Sequence, residues 1–293
     1  MHNCGMASDT LYRNFSTQQQ IDDAYDPARN VPDLAAVRRH YATRSAHARE
    51  TLHNVPGVQY GPTLQEHVDV FPSAVPGSPV LIYFHGGYWR ANSASDFHCV
   101  ALGPAALGMS VFVVNYALCP WVTLDEITRQ ARASIAWAWR HASDHNGDRN
   151  RLLVAGHSAG AHLAAMCLQT DWRHHYGLDD DCIRAALLIS GVYDIAPLRY
   201  SYLQPLIQLD EGIIRRNSPM FGVRKSRSEV LLTWGDRESD EFARQSREFH
   251  ARWIEAGNRG ECLVQEGHDH FTAIYGLEDP QSALCRWLQR VMA

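Results

Sequence analysis

Residues 151–169, RLLVAGHSAGAHLAAMCLQ, form the stretch that decides the fold. Residues 152–155 have the apolar composition of a buried strand, and a helical pattern follows the Gly-His-Ser-Ala-Gly turn at 156–160. The turn matches G-x-S-x-G, in which the glycines leave room for a serine held in a strained backbone conformation. It should expose the Ser158 hydroxyl at the sheet edge and place the Ala159 amide at a helix N-terminus. The pattern predicts a nucleophilic serine whose neighbouring amide stabilises a developing oxyanion.

Length and composition narrow the class of protein. The chain has 293 residues, of which 45% are hydrophobic, enough to bury a sizeable core. Its formal charge of −5, without a basic stripe, argues against a nucleic-acid partner. The N-terminal residues are polar and lack the apolar segment of a signal peptide, and no apolar run is long enough to span a bilayer. We therefore expect a soluble, cytoplasmic protein that does not bind membranes, and a monomer and a homodimer both remain open.

The cysteines point to a reducing compartment. Their number is odd, they are scattered, and no C-x-x-C occurs, so neither a disulfide framework nor a redox motif is indicated. Most fall in apolar segments, as small buried residues do in cytoplasmic proteins. The seven are Cys4, Cys99, Cys119, Cys167, Cys182, Cys262 and Cys285.

Apolar and alternating runs predict strands that alternate with helices along the chain. The predicted strands cover residues 67–71, 79–84, 109–116, 152–155, 183–190, 229–234 and 262–265. Predicted helices cover residues 95–107, about 124–138, 161–169, 242–254 and about 281–291. This alternation predicts an α/β fold: one domain over residues 1–293 with a mostly parallel sheet and helices on both faces.

Two segments lack the apolar or alternating pattern of a sheet strand. Residues 1–55 have helical spacing and predict two short helices, joined at Asp26-Pro27, that form an N-terminal arm or lid. The arm either stabilises the domain or, near Tyr25, forms a wall of the functional site. Residues 196–220 mix aromatic, apolar and charged side chains without a clean period, which predicts a small cap insertion.

Four chemically distinctive features follow predicted strands: HGGYW at 85–89, Ser158, Glu238 and His270. In an open parallel sheet, ligands bind beyond the carboxyl ends of the strands, so these features are predicted to converge. A serine hydroxyl needs a general base, and a carboxylate must hold a histidine base in the correct tautomer. The chain offers serine, acid and histidine in an order used for this chemistry.

More than one carboxylate is available as the acid. Asp236 directly follows Gly235, and Glu238 lies two residues later. We prefer Glu238 because the acid of such a site usually lies three residues beyond the glycine that ends the strand. Glu241 is a weaker option because it should already lie in the next helix. All three residues would also be stable as solvated acids near a helix N-terminus.

Three histidines compete for the role of base. His270 is preferred because it precedes Phe271 and begins a helix-like stretch. His268, two residues earlier, would instead brace the loop. His250 falls within a predicted helix and is expected at the surface.

The HGGYW segment is predicted to supply the second wall of an oxyanion hole. Gly86 and Gly87 allow the backbone to approach a substrate oxygen closely. His85 is expected to brace the loop. Tyr88 and Trp89 either line an aromatic substrate pocket or pack beneath the lid.

The remaining histidines give no metal signature. His162, one helical turn after Ser158, either faces the site or is buried and hydrogen-bonded. His174-His175 and the aspartates at 179–181 match no known ligand spacing, so a solvated loop is expected. We expect neither a metal nor a cofactor.

HGGYW together with GHSAGAHL resembles the kynurenine formamidase (arylformamidase) group of α/β hydrolases, which is close to hormone-sensitive-lipase-like esterases. The N-terminal arm with Tyr25, the His270-Phe271 pair and the stretch at 235–246 also fit this resemblance. The resemblance therefore covers most of the chain, and HGGYW combined with ESDEF-ARQS is its most specific part.

The resemblance implies a role for each site residue. Ser158, Glu238 and His270 would form a catalytic triad, and the oxyanion hole would consist of Gly86, Gly87 and Ala159. The group usually has aspartate as the acid, so Glu238 is a departure: its loop must lie further back, or Asp236 serves instead.

The implied reaction is hydrolysis of N-formyl-L-kynurenine to formate and kynurenine. The alternative is a carboxylesterase for short-chain or aryl esters, which uses the same groups in a pocket of different shape. A hydrolase-fold protein that only binds its ligand would typically lack the nucleophile or the base, and both are available here.

Overall fold

The computed structural model describes residues 10–292. Cys4 and the first nine residues of the predicted arm lie outside the described part. The strands are β1 Val55–Gln59, β2 His67–Phe71, β3 Ser78–Phe84, β4 Ser110–Val114, β5 Gly147–His157, β6 Ile183–Ile189, β7 Glu229–Gly235 and β8 Arg259–Gln265. The α-helices are α1 Gln18–Tyr25, α2 Leu34–Thr51, α3 Leu102–Ala106, α4 Leu124–His141, α5 Ala159–Leu168, α6 Trp172–Tyr176, α7 Gln204–Ile207, α8 Glu211–Arg216, α9 Asp240–Glu255 and α10 Ala283–Met292.

All eight strands form one sheet in the order β1-β2-β4-β3-β5-β6-β7-β8. β1 and β2 pair in antiparallel fashion, β2 is antiparallel to β4, and the strands from β4 to β8 are parallel. The central strands are buried along their whole length, because helices cover both faces of the sheet. The predicted mostly parallel α/β fold is thus confirmed.

The strand β1 was missed by the sequence prediction. It contains Pro56 and Gly57, residues that are rare in strand interiors and tolerated at an edge or a bulge. β1 is the edge strand, and its register with β2 shifts between Val55 and Val58. The Asp69 carboxylate accepts the Gly57 amide at 2.7 Å, so a side chain of β2 supports the irregular stretch.

The helix predicted over residues 95–107 is divided. A 3₁₀ segment, Ala94–Ala101, precedes α3, and Phe97 lies outside helical geometry with φ −121°. This deviation lets the buried Phe97 ring stack on His85 at a centroid distance of 5.8 Å.

The N-terminal helices pack on elements that carry the site. The Tyr25 hydroxyl donates to Glu241 on α9 at 2.6 Å, and the Tyr12 hydroxyl donates to Asp194 at 2.5 Å. The Tyr41 hydroxyl on α2 donates to the Phe271 carbonyl at 2.6 Å. With 18 residues, α2 is longer than the predicted short helix.

Residues 196–220 form short helical pieces between β6 and β7. They comprise 3₁₀ segments at Ala196–Tyr200 and Pro219–Phe221, together with α7 and α8. The Tyr202 amide donates to Asp22 of α1 at 2.7 Å, so this segment contacts the arm. None of the described helices is long and apolar enough to cross a membrane.

Buried neutral histidines should make stability depend on pH. His85 and His162 are fully buried, and burial lowers the pKa of each to about 4. An unfolded imidazole titrates near pH 6.5, so the unfolded chain binds more protons between about pH 6.5 and 4. We expect the free energy of unfolding to be highest above that window and to fall by about 1.4 kcal/mol per pH unit for each histidine within it.

Denaturant unfolding at about pH 7.5 and about pH 5.5 measures this slope. His162→Gln is the matched variant, because its amide can still donate to the Asn217 carbonyl that His162 Nε2 contacts at 2.7 Å. The variant should lose stability less steeply on acidification. An unchanged slope would exclude His162 as a source of the pH dependence.

Candidate active site

Ser158 occupies the sharp turn between β5 and α5. Its backbone has φ 56° and ψ −117°, a conformation that L-residues rarely adopt. The flanking glycines permit the turn: a Cβ on Gly156 would lie 2.2 Å from the Gly160 carbonyl oxygen, and one on Gly160 would lie 1.9 Å from that of Phe84. The strained turn therefore depends on glycine at both positions.

His270 and Glu238 are in direct contact. His270 Nδ1 lies 2.7 Å from Glu238 Oε2, and both side chains are almost completely buried. A carboxylate only accepts hydrogen bonds, so Nδ1 carries the proton and Nε2 is left as the basic nitrogen. The Ser190 hydroxyl donates to Glu238 Oε1 at 2.5 Å, and the Gly235 amide donates to the same oxygen at 2.7 Å. The carboxylate is thus fixed by three donors.

The loop after β8 holds the His270 backbone in place. Asp269 Oδ1 accepts the amides of Phe271 at 3.0 Å and Thr272 at 2.9 Å. His157 Nε2 donates to the His270 carbonyl at 2.7 Å, which ties this loop to the serine turn. Burial and the nearby His270 hold the pKa of His157 well below its ordinary value, so His157 stays neutral.

The alternative acids and bases have other partners. Asp236 is exposed, and its Oδ1 accepts the Gly267 amide at 2.8 Å. The Glu241 carboxylate, in the first turn of α9, accepts from the Tyr25 hydroxyl and the Arg244 guanidinium. His268 Nδ1 contacts the Thr272 carbonyl at 3.0 Å, as expected of a histidine that braces the loop.

The HGGYW loop lies against the serine turn. A Cβ on Gly86 would lie 3.0 Å from His157 Nδ1 and 3.2 Å from Ser158 Cβ. Gly87 has φ 121°, and a Cβ there would lie 2.4 Å from the Ala91 carbonyl oxygen. Asn92 Nδ2 donates to the Gly86 carbonyl at 3.1 Å and braces the loop from outside. Gly87 therefore requires glycine, and a side chain at Gly86 would crowd the serine turn.

Two aromatic residues of this loop adopt left-handed backbone angles. Tyr88 and Trp89 have φ 50° and 56°, and the Arg90 amide donates to the Gly87 carbonyl at 3.1 Å, which closes a β-turn. Bulky residues at positive φ are outliers, so backbone strain is stored beside the site. The turn leaves Tyr88 in the cavity wall, where its hydroxyl donates to the Tyr25 carbonyl at 2.6 Å.

Trp89 does not line the cavity, so its predicted contact with substrate is corrected. Its indole is fully buried and meets the His162 ring edge-on, with ring centroids 4.8 Å apart. Because Tyr88 and Trp89 both adopt positive φ, their side chains point in different directions, and the Trp89 indole packs against His162. Of the two positions predicted for His162, the structure shows the buried, hydrogen-bonded one.

A cavity of about 840 Å³ opens at this edge of the sheet. Ser158, His270, Gly86 and Gly87 border it, while residues 26–28 and α2 contribute to its wall. Charged and aromatic side chains contribute much of the wall: Asp26, Arg38, Tyr41, Arg49, Tyr88, Arg90, Asp96, Phe97, Tyr202 and Phe271. The cavity therefore brings together a serine side chain, a carboxylate-oriented imidazole and an apolar surface.

The amide of Ala159 is the first of α5 and has no acceptor within the helix. It directly follows Ser158, and the glycine loop that lines the cavity lies against the same serine turn. Free amides at such a place can bind an anionic oxygen. Within residues 10–292, no group of three or more His, Cys, Asp or Glu side chains is arranged to hold a metal ion.

Sequence reasoning missed Ser190, Asp26 and Arg90. Ser190 follows β6 directly and has φ 51°, so its position at the end of a strand was an available signal. Asp26 gave no comparable signal, because it reaches the cavity through the packing of the arm on the domain, whereas Arg90 directly follows the HGGYW segment.

The strand order and the serine turn define an α/β hydrolase. A family profile described as alpha/beta hydrolase fold matches residues 81–223. The chain is 30% identical to kynurenine formamidase of Danio rerio over 289 residues, which cover 94% of this chain and 97% of that protein. It belongs to the kynurenine formamidase family of α/β hydrolases, and it is a hydrolase of small-molecule substrates.

Esterases are also related to this chain. Esterase LipQ of Mycobacterium tuberculosis is 26% identical over 78% of this chain and 57% of its own length. A solved structure from Silicibacter sp. tm1040, described as a candidate thioesterase, aligns with a TM-score of 0.80 and 26% identity. That alignment covers 91% of this chain and 98% of the other.

Proposed function

We propose that this enzyme hydrolyses an arylformamide, N-formyl-L-kynurenine, to formate and kynurenine, with Ser158, Glu238 and His270 as its catalytic triad. The observation that carries the triad is the 2.7 Å contact between His270 Nδ1 and Glu238 Oε2 beside Ser158 in one cavity. The choice of a formamide is supported by the 30% identity, over nearly the full length, to a kynurenine formamidase.

The reaction proceeds in two halves. His270 Nε2 takes the Ser158 proton as Oγ attacks the formyl carbon, and the resulting oxyanion is stabilised by the amides of Gly86, Gly87 and Ala159. The imidazolium gives its proton to the aniline nitrogen, the C–N bond breaks and kynurenine leaves. Water then attacks the formyl ester with His270 as base again, which releases formate and restores the serine hydroxyl.

Glu238 fixes His270 in the productive tautomer and stabilises the imidazolium. The longer side chain of glutamate is accommodated because Ser190 and Gly235 anchor its second oxygen at the end of the neighbouring strands. Tyr88 contributes to the wall that receives the aromatic leaving group.

A carboxylesterase that cleaves short-chain or aryl esters is the second candidate. The relationship to Esterase LipQ favours it, and the same serine, histidine and amides would serve. An ester has a better leaving group than an anilide, so ester turnover alone does not distinguish the two.

The test is steady-state turnover of N-formyl-L-kynurenine and p-nitrophenyl acetate by the purified enzyme. We expect kcat/KM for the formamide to equal or exceed that for the ester, although the amide bond is the harder one to cleave. Negligible formamide turnover with rapid ester turnover would establish the esterase instead. Chelators should leave both activities unchanged, since the proposed groups include no metal.

We also propose that the enzyme acts in the cytoplasm and forms a homodimer. Each chain would be a single domain that carries residues 1–55 as a lid and about 196–220 as a cap. The six described cysteines are free thiols, which supports a reducing compartment. The edge strand β8 leaves Val264 46% exposed, which supports pairing with a second copy. Light scattering would give twice the chain mass of 33.0 kDa for a dimer.

A further inference from the structure

Two opposite charges in the cavity wall lack an ion-pair partner among residues 10–292. Asp26 and Arg90 are both partly buried. Asp26 Oδ1 accepts the Ala28 amide at 2.9 Å, and its other oxygen has no recorded partner in the described chain. Arg90 Nε is buried without a hydrogen-bond partner. Partly buried charges are costly unless something compensates them, so an occupant that carries both charges would be favoured.

The other charged side chains of the wall are engaged or exposed. Arg49 donates to the Ser95 carbonyl at 3.0 Å, and Asp96 Oδ2 accepts the Ser93 amide at 2.8 Å. Arg38 is exposed on α2 at the outer part of the wall. This leaves Asp26 and Arg90 as the partly buried pair without an ion-pair partner in the described chain, and the Arg90 side chain contacts the neutral Tyr202 phenol.

These two charges flank the reacting groups. Arg90 closes the β-turn that begins at Gly87, so its Cα lies within about 7 Å of the Gly87 Cα. Asp26 also borders a small neighbouring cavity together with Glu238 and His270. One charge thus lies beside the glycine loop and the other beside the histidine.

The Tyr202 phenol lies near both charges and hydrogen-bonds to the Arg90 side chain. Burial raises the pKa of its phenol, the Asp26 carboxylate raises it further, and the Arg90 guanidinium lowers it. Both side chains therefore act on the same phenol, although no ion pair forms between them within 4.0 Å.

We propose that Arg90 and Asp26 form a subsite for a zwitterionic α-amino-acid group on the leaving group, with the carboxylate on Arg90 and the ammonium on Asp26. This inference rests on the proposed function and specifies which part of the substrate is recognised. Arginine is suited to the role because its planar guanidinium pairs with a carboxylate through two parallel hydrogen bonds. A simple aryl ester or formamide has neither charge and leaves both side chains uncompensated.

The subsite separates recognition from chemistry. The formyl carbon is bound by Ser158 and the glycine loop in every formamide, whereas the amino-acid end adds binding energy far from the reacting bond. Together with the scissile carbonyl, two charged contacts fix three points of the substrate. We therefore expect the L-enantiomer of a formylated aryl amino acid to react faster than the D-enantiomer.

The experiment compares N-formyl-L-kynurenine with ortho-formamidoacetophenone, which has the same ring, ketone and formamide but lacks the amino-acid end. We expect the wild-type enzyme to favour N-formyl-L-kynurenine in kcat/KM by about 100-fold or more. Arg90→Met keeps much of the apolar stem and removes the charge. It should lower kcat/KM for N-formyl-L-kynurenine by roughly 10- to 100-fold, mainly through KM, and change the truncated substrate by less than about twofold.

Asp26→Asn is the second test variant, because asparagine can still accept the Ala28 amide but carries no negative charge. It should show the same substrate-specific loss. Arg39→Met is the matched control: Arg39 lies on α2, is exposed, and pairs only loosely with Asp33 at 3.6 Å. This variant should retain wild-type values for both substrates.

Equal losses on both substrates in Arg90→Met would indicate a purely structural role and overturn the subsite. A selective loss in Arg38→Met, with none in Arg90→Met, would assign the carboxylate to Arg38 and also overturn it. Failure of the proposed function looks different, because neither formamide would then react while aryl esters would. In that case, L-kynurenine and ortho-aminoacetophenone are compared as inhibitors of ester hydrolysis. Equal inhibition by the two compounds would refute the subsite.

Discussion

We expect Ser158→Ala and His270→Ala each to lower kcat by roughly 10⁴- to 10⁶-fold. In the proposed mechanism the serine supplies the attacking oxygen, and without the imidazole its proton has no acceptor, so either change disables the same step. The double variant should lose little more than either single variant, because the two groups act as a unit. Steady-state kinetics on N-formyl-L-kynurenine measures these losses.

His268→Ala is the matched control for the histidine. It lies two residues before His270 in the same loop and contacts the Thr272 carbonyl rather than Glu238. We expect it to retain activity within about tenfold of wild type, since it touches no reacting group. If His268→Ala were as inactive as His270→Ala while both proteins remained folded, the base would be wrongly assigned. Thermal unfolding of each variant checks the fold.

The second large effect is expected at the acid. Glu238→Gln should lower kcat by roughly 10²- to 10⁴-fold, because an amide can donate to His270 Nδ1 and favour the wrong tautomer. The substitution also removes the negative charge that stabilises the imidazolium. The loss should appear in kcat with a smaller change in KM, since Glu238 supports the transition state rather than substrate binding.

Asp236→Asn is the companion variant. Its side-chain oxygen can still accept the Gly267 amide, which is the contact that Asp236 makes in the structure. Activity within about threefold of wild type is expected, because solvent screens the exposed charge of Asp236 and the side chain does not contact His270. Greater damage from Asp236→Asn than from Glu238→Gln would show that Asp236 is the acid.

The sequence predicted the site best where a reactive side chain follows the end of a strand. Ser158, Glu238 and His270 each follow a strand of a parallel sheet, and such a sheet gathers the carboxyl ends of its strands at one edge. The serine turn could be predicted because glycine is required on both sides of it. The choice of Glu238 over Asp236 followed from a spacing rule, but the contacts that hold each carboxylate depend on packing.

The features that could not be predicted depend on tertiary packing or on unusual backbone angles. Trp89 turns away from the cavity because it and Tyr88 both adopt positive φ, which no residue-type preference indicates for aromatic side chains. Asp26 and Arg90 border one cavity because residues 26–28 and α2 pack opposite the glycine loop. The strand β1 was hidden because its proline and glycine resemble a turn in the sequence.

The docking of the N-terminal helices has a consequence for how the protein folds. The hydrogen bond from Tyr25 to Glu241 joins residues 216 positions apart, and that from Tyr12 to Asp194 joins residues 182 positions apart. Contacts between residues so far apart in sequence form late, because the entropic cost of closing the long intervening loop must be overcome first. During synthesis, the N-terminal helices emerge well before α9, the element to which Tyr25 binds. We therefore expect the cavity to be completed late in folding, once α9 and the N-terminal helices can meet.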